Sequence, residues 1–345
     1  MRIPKVSQIS FLLASACLCA SCAGPHAASN SDTPPESPVS EVQQSEPVVA
    51  LTNDEVAEKY ASEYTLSDST PSHYDQDTTL TVNEVLGMVN DDGIIETEIN
   101  GHIVYHPVSM SWNLLGIINL YEETHDSRLL KVAQDNVKYL LDGSTVIDGS
   151  RWFEYQFEHS RGELRMDVPW VSGMAQGMVL SVLSRMYDIT HDDKYIPLMR
   201  EIFQSFSVQK STEGHWFTNL MKCPDSSSEC MYFEEYPAAV DSQNTHVVNG
   251  HMYAIIGLYD YYRITKDALA ASYINAGSYA QLHSLDLYRN PGAPSYYAMT
   301  NFGHKTWGAP EKYHEGVIAE LRFIAEICQN DEFHQQASLL EQDHS

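Results

Sequence analysis

Glu234 and Glu235 stand side by side, Tyr236 follows them, and Pro237 closes the group. Two carboxylates and a phenol are acid/base groups, able to take up and return protons during a reaction. Proline cannot continue a helix or donate a backbone hydrogen bond, so it holds the three side chains on a rigid turn. The turn leads into an unusually apolar segment, HVVNGHMYAIIGLYD, expected to be helical from near Thr245. Within it the small residues Gly250 and Gly257 lie two turns apart. An acid/base group on a rigid turn beside a closely packed helix suits a catalytic site. It suits an ordinary helix entrance equally well, so support must come from elsewhere in the chain.

The elements around this turn repeat. Tyr121-Glu-Glu-Thr-His-Asp126, Tyr187-Asp-Ile-Thr-His-Asp192 and Tyr262-Arg-Ile-Thr-Lys-Asp267 each end an apolar run and open an amphipathic one. Thr-x-Asp fits a join in which one helix stops and the Asp caps the next. The recurrence predicts stacked helical hairpins: 108–123 with 126–141, 170–189 with 192–207, 245–264 with 267–284, and 312–328 with 330–342. The first member of each of the first three pairs is apolar nearly all round and is expected to be buried; the second is expected to face solvent. The fold class is therefore mainly α, an α/α toroid of about four hairpins with short β segments in the connections; an open helical solenoid is the alternative. The β candidates are Trp152–Phe157 and His215–Thr218.

The chain has 345 residues, of which 1–22 read as an export signal and 80–345 as the folded domain. Arg2 and Lys5 precede a short apolar run, too short for a mature bilayer span. Small residues surround Cys22 as at a bacterial lipoprotein processing site, although Cys19 takes the place of the usual leucine. The expectation is a lipoprotein of the bacterial cell envelope anchored through Cys22, or a secreted protein after ordinary cleavage. Residues 23–79 are expected to be a poorly ordered tether, because the Ser, Pro and Glu of its first half cannot bury enough surface to offset ordering entropy. A net charge of −27 leaves no basic stripe for phosphates and argues against nucleic acid as a partner. Cys223 and Cys230 flank a polar loop and are candidates for a disulfide in an oxidising compartment. No second ligand pair stands at zinc spacing, so no metal is expected.

Three blocks, in order, resemble the C-terminal catalytic domain of the D-glucuronyl C5-epimerases. Pro169-Trp-Val-Ser-Gly-Met-Ala-Gln-Gly177 is similar to the family's W-x-S-A-M-A-Q-G helix start. Glu234-Glu-Tyr-Pro237, Val248-Asn-Gly250 and Ile256-Gly-Leu-Tyr-Asp260 are similar to its E-E-Y-P, L-N-G and I-G-L-Y-D. Tyr313-His314 is similar to its Y-H, and Tyr105-x-Pro107 to its Y-x-P. These blocks span about 105–325. The family's N-terminal β-rich region has no evident counterpart.

The resemblance implies inversion at C5 of a uronic acid inside a polysaccharide, without a cofactor. The C5 proton is α to a carboxylate and only weakly acidic. One base must remove it, an acid must return a proton on the opposite ring face, and donors must support the charge that spreads into the carboxylate. Carried over by position, Glu235 and Tyr313 are the acid/base pair, with Tyr236 and Tyr297 in support; Tyr296 is a one-residue alternative to Tyr297. His314 extends the Tyr313 motif toward substrate binding. A phenol ionises near pH ~10, so Tyr313 acts more readily as donor, and a carboxylate beside apolar helices is expected to rise toward a useful base. Gln176 and Asn249 interrupt apolar helices, either as helix–helix hydrogen bonds or as cleft lining for substrate. Trp307, in a Gly/Pro-rich loop, is the candidate sugar platform; Trp112, Trp152 and Trp170 read as core.

The chain departs from the family at two positions. Thr300 stands where the family's arginine would grip the substrate carboxylate, and Val317 where it has a second histidine. His304, Lys305 and Lys312 lie close by in sequence as alternative positive charge. The competing functions are a uronate polysaccharide lyase, a glycoside hydrolase on the same toroid, and a non-catalytic carbohydrate-binding lipoprotein.

Overall fold

The computed structural model describes residues 51–69, 80–161, 164–224, 228–238, 240, 243–299 and 311–344. Two short N-terminal helices, α1 (Asn53–Glu58) and α2 (Val82–Met88), precede four helical hairpins. The hairpins pair α3 (Pro107–Thr124) with α4 (Ser127–Asp142), and α5 (Gly173–Thr190) with α6 (Tyr195–Gln204). They continue with α7 (Val248–Thr265) and α8 (Ala268–Leu282), then a short α9 (Leu285–Tyr288), then α10 (Glu311–Cys328) and α11 (Asp331–Asp343). Among the inner helices α3 packs on α5, α5 on α7 and α7 on α10, as in an α/α toroid.

The repeated Tyr-x-x-Thr-x-Asp pattern has a mechanical explanation. His125, His191 and Lys266 take the left-handed conformation at the helix end, with φ of 53°, 51° and 52°. Their N–H groups donate to the carbonyls of Tyr121, Tyr187 and Tyr262 at 2.7, 2.7 and 2.8 Å. The Thr hydroxyls turn back onto carbonyls one turn earlier, at Leu120, Met186 and Tyr261. Asp126 and Asp267 then cap α4 and α8 by accepting from Arg128 N and Leu269 N. Each join thus satisfies terminal backbone groups that a helix leaves open. Asp192 accepts from Lys194 N instead, so α6 starts at Tyr195, later than the sequence suggested.

The inner helices α5 and α7 are buried around nearly their whole circumference. They cross in close contact: a Cβ on Gly257 would lie 2.0 Å from the Gly177 carbonyl oxygen. The partner helix α8 does not face solvent as expected. Its sequence, ALAASYINAGSYAQL, carries no charge, and the N-terminal segment covers it. Val56 and Ala57 are fully buried, Asn275 Nδ2 donates to Tyr60 O at 3.0 Å, and Tyr273 OH donates to Asp54 Oδ1 at 2.6 Å. Ser67 N reaches Ile327 O at 2.8 Å. Residues 52–69 therefore belong to the folded domain, which corrects the boundary drawn at residue 80.

The strands form four two-stranded antiparallel pairs among the described residues: β1 (Thr97–Ile99) with β2 (His102–Val104), β3 (Thr145–Ile147) with β4 (Ser150–Trp152), β5 (His159–Arg161) with β6 (Leu164–Met166), and β7 (Thr218–Lys222) with β8 (Glu229–Phe233). The expected strand at 152–157 ends at Trp152, because Phe153 N donates to the Gln176 side chain rather than to a neighbouring strand. The one expected at 215–218 begins only at Thr218. A disulfide joins Cys223 and Cys230 at the far end of the β7–β8 ladder. No helix among the described residues is long and apolar enough to cross a membrane.

Candidate active site

Strand β8 runs straight into Glu234 and Glu235, and the two carboxylates part company there. Glu234 is fully buried and serves the fold. Its oxygens meet Asn219 Nδ2 at 2.9 Å, His246 N at 3.0 Å and His246 Nδ1 at 2.6 Å. Burial pushes this carboxyl up, but His246 and these hydrogen bonds outweigh it and hold the group below the usual carboxylate range. The result pins His246 at φ 45°, just before α7 begins at Val248.

Glu235 turns the other way and lies against α7. A Cβ on Gly250 would sit 2.7 Å from Glu235 Oε2, so glycine is the residue that lets the carboxylate rest there. The Tyr297 hydroxyl donates to Glu235 Oε1 and Oε2 at 3.2 and 3.3 Å. The Tyr236 hydroxyl stands 3.4 Å from that of Tyr297 and completes a short chain. Tyr297, rather than Tyr296, is thus the tyrosine that reaches Glu235.

Tyr313 approaches the same residue from α10. Its hydroxyl donates to the Tyr297 carbonyl at 3.0 Å and accepts from Asn249 N at 3.2 Å, with ring centroids of Tyr297 and Tyr313 4.9 Å apart. Burial pushes the Tyr313 phenol well above its ordinary range, and the neighbouring Tyr297, Glu320 and Glu235 add to the push. At neutral pH the phenol therefore keeps its proton. Glu235 and Tyr313, 78 residues apart by their numbers, meet at the two ends of Tyr297, its hydroxyl and its carbonyl. Glu235, Tyr236, Tyr297 and Tyr313 are all buried.

An aromatic wall backs Tyr236. His159 stacks on it at 5.0 Å and 15°, and Trp170 lies 5.9 Å away. Trp170 stacks in turn on Tyr155 at 3.8 Å and 7°. Beyond Trp170 a cavity of about 210 Å³ is lined by Arg165, His215, Trp216, Pro237 and Gln243 among others. His159 is a wall residue that sequence reasoning missed; its signal lay in the aromatic run before it, which had been read as a strand.

Two expected substrate-binding residues are elsewhere. Gln176 spends its whole amide on structure: Oε1 accepts from Phe153 N at 3.1 Å, and Nε2 donates to Arg151 O and Ser205 Oγ, each at 2.8 Å. His314 faces away from Tyr313, since neighbours on a helix diverge. Its Nδ1 accepts from Ser295 N at 3.0 Å and its Nε2 meets Leu340 O at 3.1 Å, both in the core. Asn249 is at the site through its backbone, and its buried Oδ1 has no hydrogen-bond partner among the described residues. Val317 is buried in α10 and Lys312 is exposed. Cys22, Thr300, His304, Lys305 and Trp307 lie outside the described residues. Among the described residues no group of three His, Cys, Asp or Glu side chains is placed to hold a metal ion.

Comparison with known proteins gives three findings. A family model described as "D-glucuronyl C5-epimerase C-terminus" matches residues 148–341. A D-glucuronyl C5-epimerase of Caenorhabditis elegans is 33% identical over 108 residues, which are 30% of this chain and 15% of that protein. The chain thus spans a small part of the curated relative it matches. Among solved structures, an unsaturated glucuronyl hydrolase specific for heparin has a TM-score of 0.50 at 15% identity, covering 72% of this chain and 68% of that one. At that identity the likeness is one of fold.

Proposed function

The chain belongs to the D-glucuronyl C5-epimerase C-terminal family, and on that premise we propose that it inverts C5 of uronic acid residues within a polysaccharide. The observation that carries this reading is the convergence of Glu235 and Tyr313 on Tyr297. Glu235 is the base that takes the C5 proton. Tyr313, kept protonated by its burial, is the acid that returns one to the opposite ring face. As the C5–H bond breaks, charge spreads into the substrate carboxylate, and donors already aimed at the site lower that barrier. Tyr236 and Tyr297 are the hydroxyls in place for it. The same Tyr297 hydroxyl steadies Glu235 before the substrate arrives, so the base needs little reorganisation.

The test is incubation of the full-length protein with uronic acid polymers in deuterated water. Deuterium at C5 without chain cleavage is the expected result. Appearance of unsaturated, ultraviolet-absorbing ends would assign a lyase reaction instead, and no exchange on any uronate polymer would refute both. We propose further that Cys22 carries a lipid anchor of the cell envelope. Labelling with a radioactive fatty acid, abolished by Cys22→Ala, tests it; an unlabelled, freely secreted product contradicts it.

A further inference from the structure

The cavity beyond Trp170 holds chemistry that the Glu235–Tyr313 pair does not use. Pro237, which follows Tyr236 in the chain, is part of its wall. Trp170 lines it too, with its ring centroid 5.9 Å from that of Tyr236, so cavity and site share a wall. Its volume of about 210 Å³ falls below the roughly 300–1,000 Å³ of drug-sized sites and suits a single sugar unit. The lining divides in two. The indoles of Trp170 and Trp216 are buried and apolar, whereas Arg165, Asp167 and Gln243 are exposed and polar. A sugar ring divides the same way, with C–H groups on its faces and hydroxyls around its edge.

His215 also lines the cavity, and it is held in place from behind. Its side chain is 13% exposed, its Nε2 lies 2.6 Å from Glu154 Oε1, and its ring meets Trp152 edge-on at 5.3 Å. The other Glu154 oxygen accepts from Gln156 Nε2 at 3.1 Å, so the carboxylate is fixed as well. A carboxylate on one ring nitrogen keeps the proton there and leaves the other nitrogen as an acceptor. Nδ1 of His215 makes no hydrogen bond among the described residues. Positive charge gathers at the same place in a chain whose net charge is −27. Arg165 lines the cavity, and the Lys210 ammonium lies over the Trp216 ring at 4.9 Å. Asp167 is the acid among the described lining residues. An acidic polymer repelled by the rest of the surface is drawn to such a spot. We propose that the cavity is a saccharide subsite, which holds the sugar unit next to the reacting one and meets its acidic charge with Arg165. His215 Nδ1 accepts from one of its hydroxyls, and the Gln243 amide serves another. Glu154 touches no sugar and is a positioning residue for His215. Holding the neighbour fixes which sugar of the polymer reaches Glu235.

The inference rests on the uronic acid polysaccharide reading, and its test separates the two. Binding to the full-length protein is measured by calorimetry, with melting temperatures recorded alongside. The probes are unsulfated oligosaccharides of alternating glucuronic acid and N-acetylglucosamine, with uncharged cello-oligosaccharides of equal length for comparison. The parent is expected to bind the acidic tetrasaccharide more tightly than the uncharged one. Arg165→Ala and His215→Ala should each raise the Kd of the acidic tetrasaccharide at least about fivefold. The Arg165→Ala loss should shrink in high salt, as a charge contact does. Arg165 is exposed, so its removal leaves the fold intact even if His215→Ala, which strips Glu154 of its partner, lowers the melting temperature. An Arg165→Ala affinity within twofold of the parent at low salt would overturn the proposal, as would a parent that binds none of the acidic probes. The expected losses in a parent that exchanges no C5 proton would refute the epimerase reading and leave the subsite standing. C5 exchange by a parent whose affinity neither variant changes would do the reverse.

Discussion

Tyr297→Phe isolates the hydroxyl on which Glu235 leans. The change keeps the ring, its packing at 4.9 Å on Tyr313, and the backbone carbonyl that accepts from Tyr313. It removes one O–H and with it the 3.2 and 3.3 Å contacts to the Glu235 carboxylate and the link to Tyr236. A hydrogen bond to a charged group contributes roughly 1.5–3 kcal/mol, which corresponds to about a 10- to 150-fold change in rate if the group acts in the chemical step. The assay is the initial rate of deuterium entry at C5 of a uronate polymer, followed by NMR at saturating substrate. The expectation is a kcat lowered about 10- to 150-fold with the helical circular dichroism spectrum unchanged. A kcat within twofold of the parent would refute the role of Tyr297 as the hub between base and acid.

Further consequences follow from the packing and the buried charges. Gly257→Ala places a Cβ 2.0 Å from the Gly177 carbonyl oxygen, so α5 and α7 must move apart. Overpacking of this kind costs about 1–3 kcal/mol or more, seen as a lower midpoint in denaturant. Truncation to residue 80 removes Val56, Ala57 and Tyr60, each buried against the core, and so uncovers α8. At roughly 1.5–3 kcal/mol for each of the larger side chains, the truncated protein should lose several kcal/mol of stability or precipitate. A truncation as stable as the parent would show that 52–69 is dispensable. Asp260 is buried on α7, and burial raises its carboxyl above the usual carboxylate range, to about 6. The folded state then holds this proton where the unfolded state has lost it, so its contribution is present below about pH 4 and is lost as pH rises through 6. Asp260→Asn should flatten that part of the stability profile by up to about 3 kcal/mol. Parallel profiles of parent and variant between pH 4 and 7 would contradict it.

What could be read from the sequence was local. The Thr-x-Asp joins announced the hairpins because the Tyr carbonyl, the Thr hydroxyl and the Asp cap all act within a few residues. The turn of Glu235 and the glycine that makes room for it, Gly250, lie in one short segment, so their closeness was legible, while the choice of Glu235 over Glu234 came from the family resemblance. What failed depended on distant partners. Residues 52–69 look like tether, but their Tyr60 carbonyl meets Asn275, 215 positions away. Gln176 is polar in an apolar helix for the sake of Phe153, Arg151 and Ser205, none of which its own segment reveals. His314 accompanies Tyr313 in a motif but points to Ser295 and Leu340. His159 was hidden because the β5–β6 hairpin that carries it to Tyr236 has only three residues per strand.

The central claim is that Glu235 removes a C5 proton from a polymer-bound uronic acid. Deuterium incorporation at C5, measured side by side for the parent and for Glu235→Gln in deuterated water, tests it most directly. The account predicts incorporation without chain cleavage by the parent, and a loss of at least about a thousandfold in the variant with polysaccharide binding retained. Incorporation by Glu235→Gln at the parent's rate would contradict it.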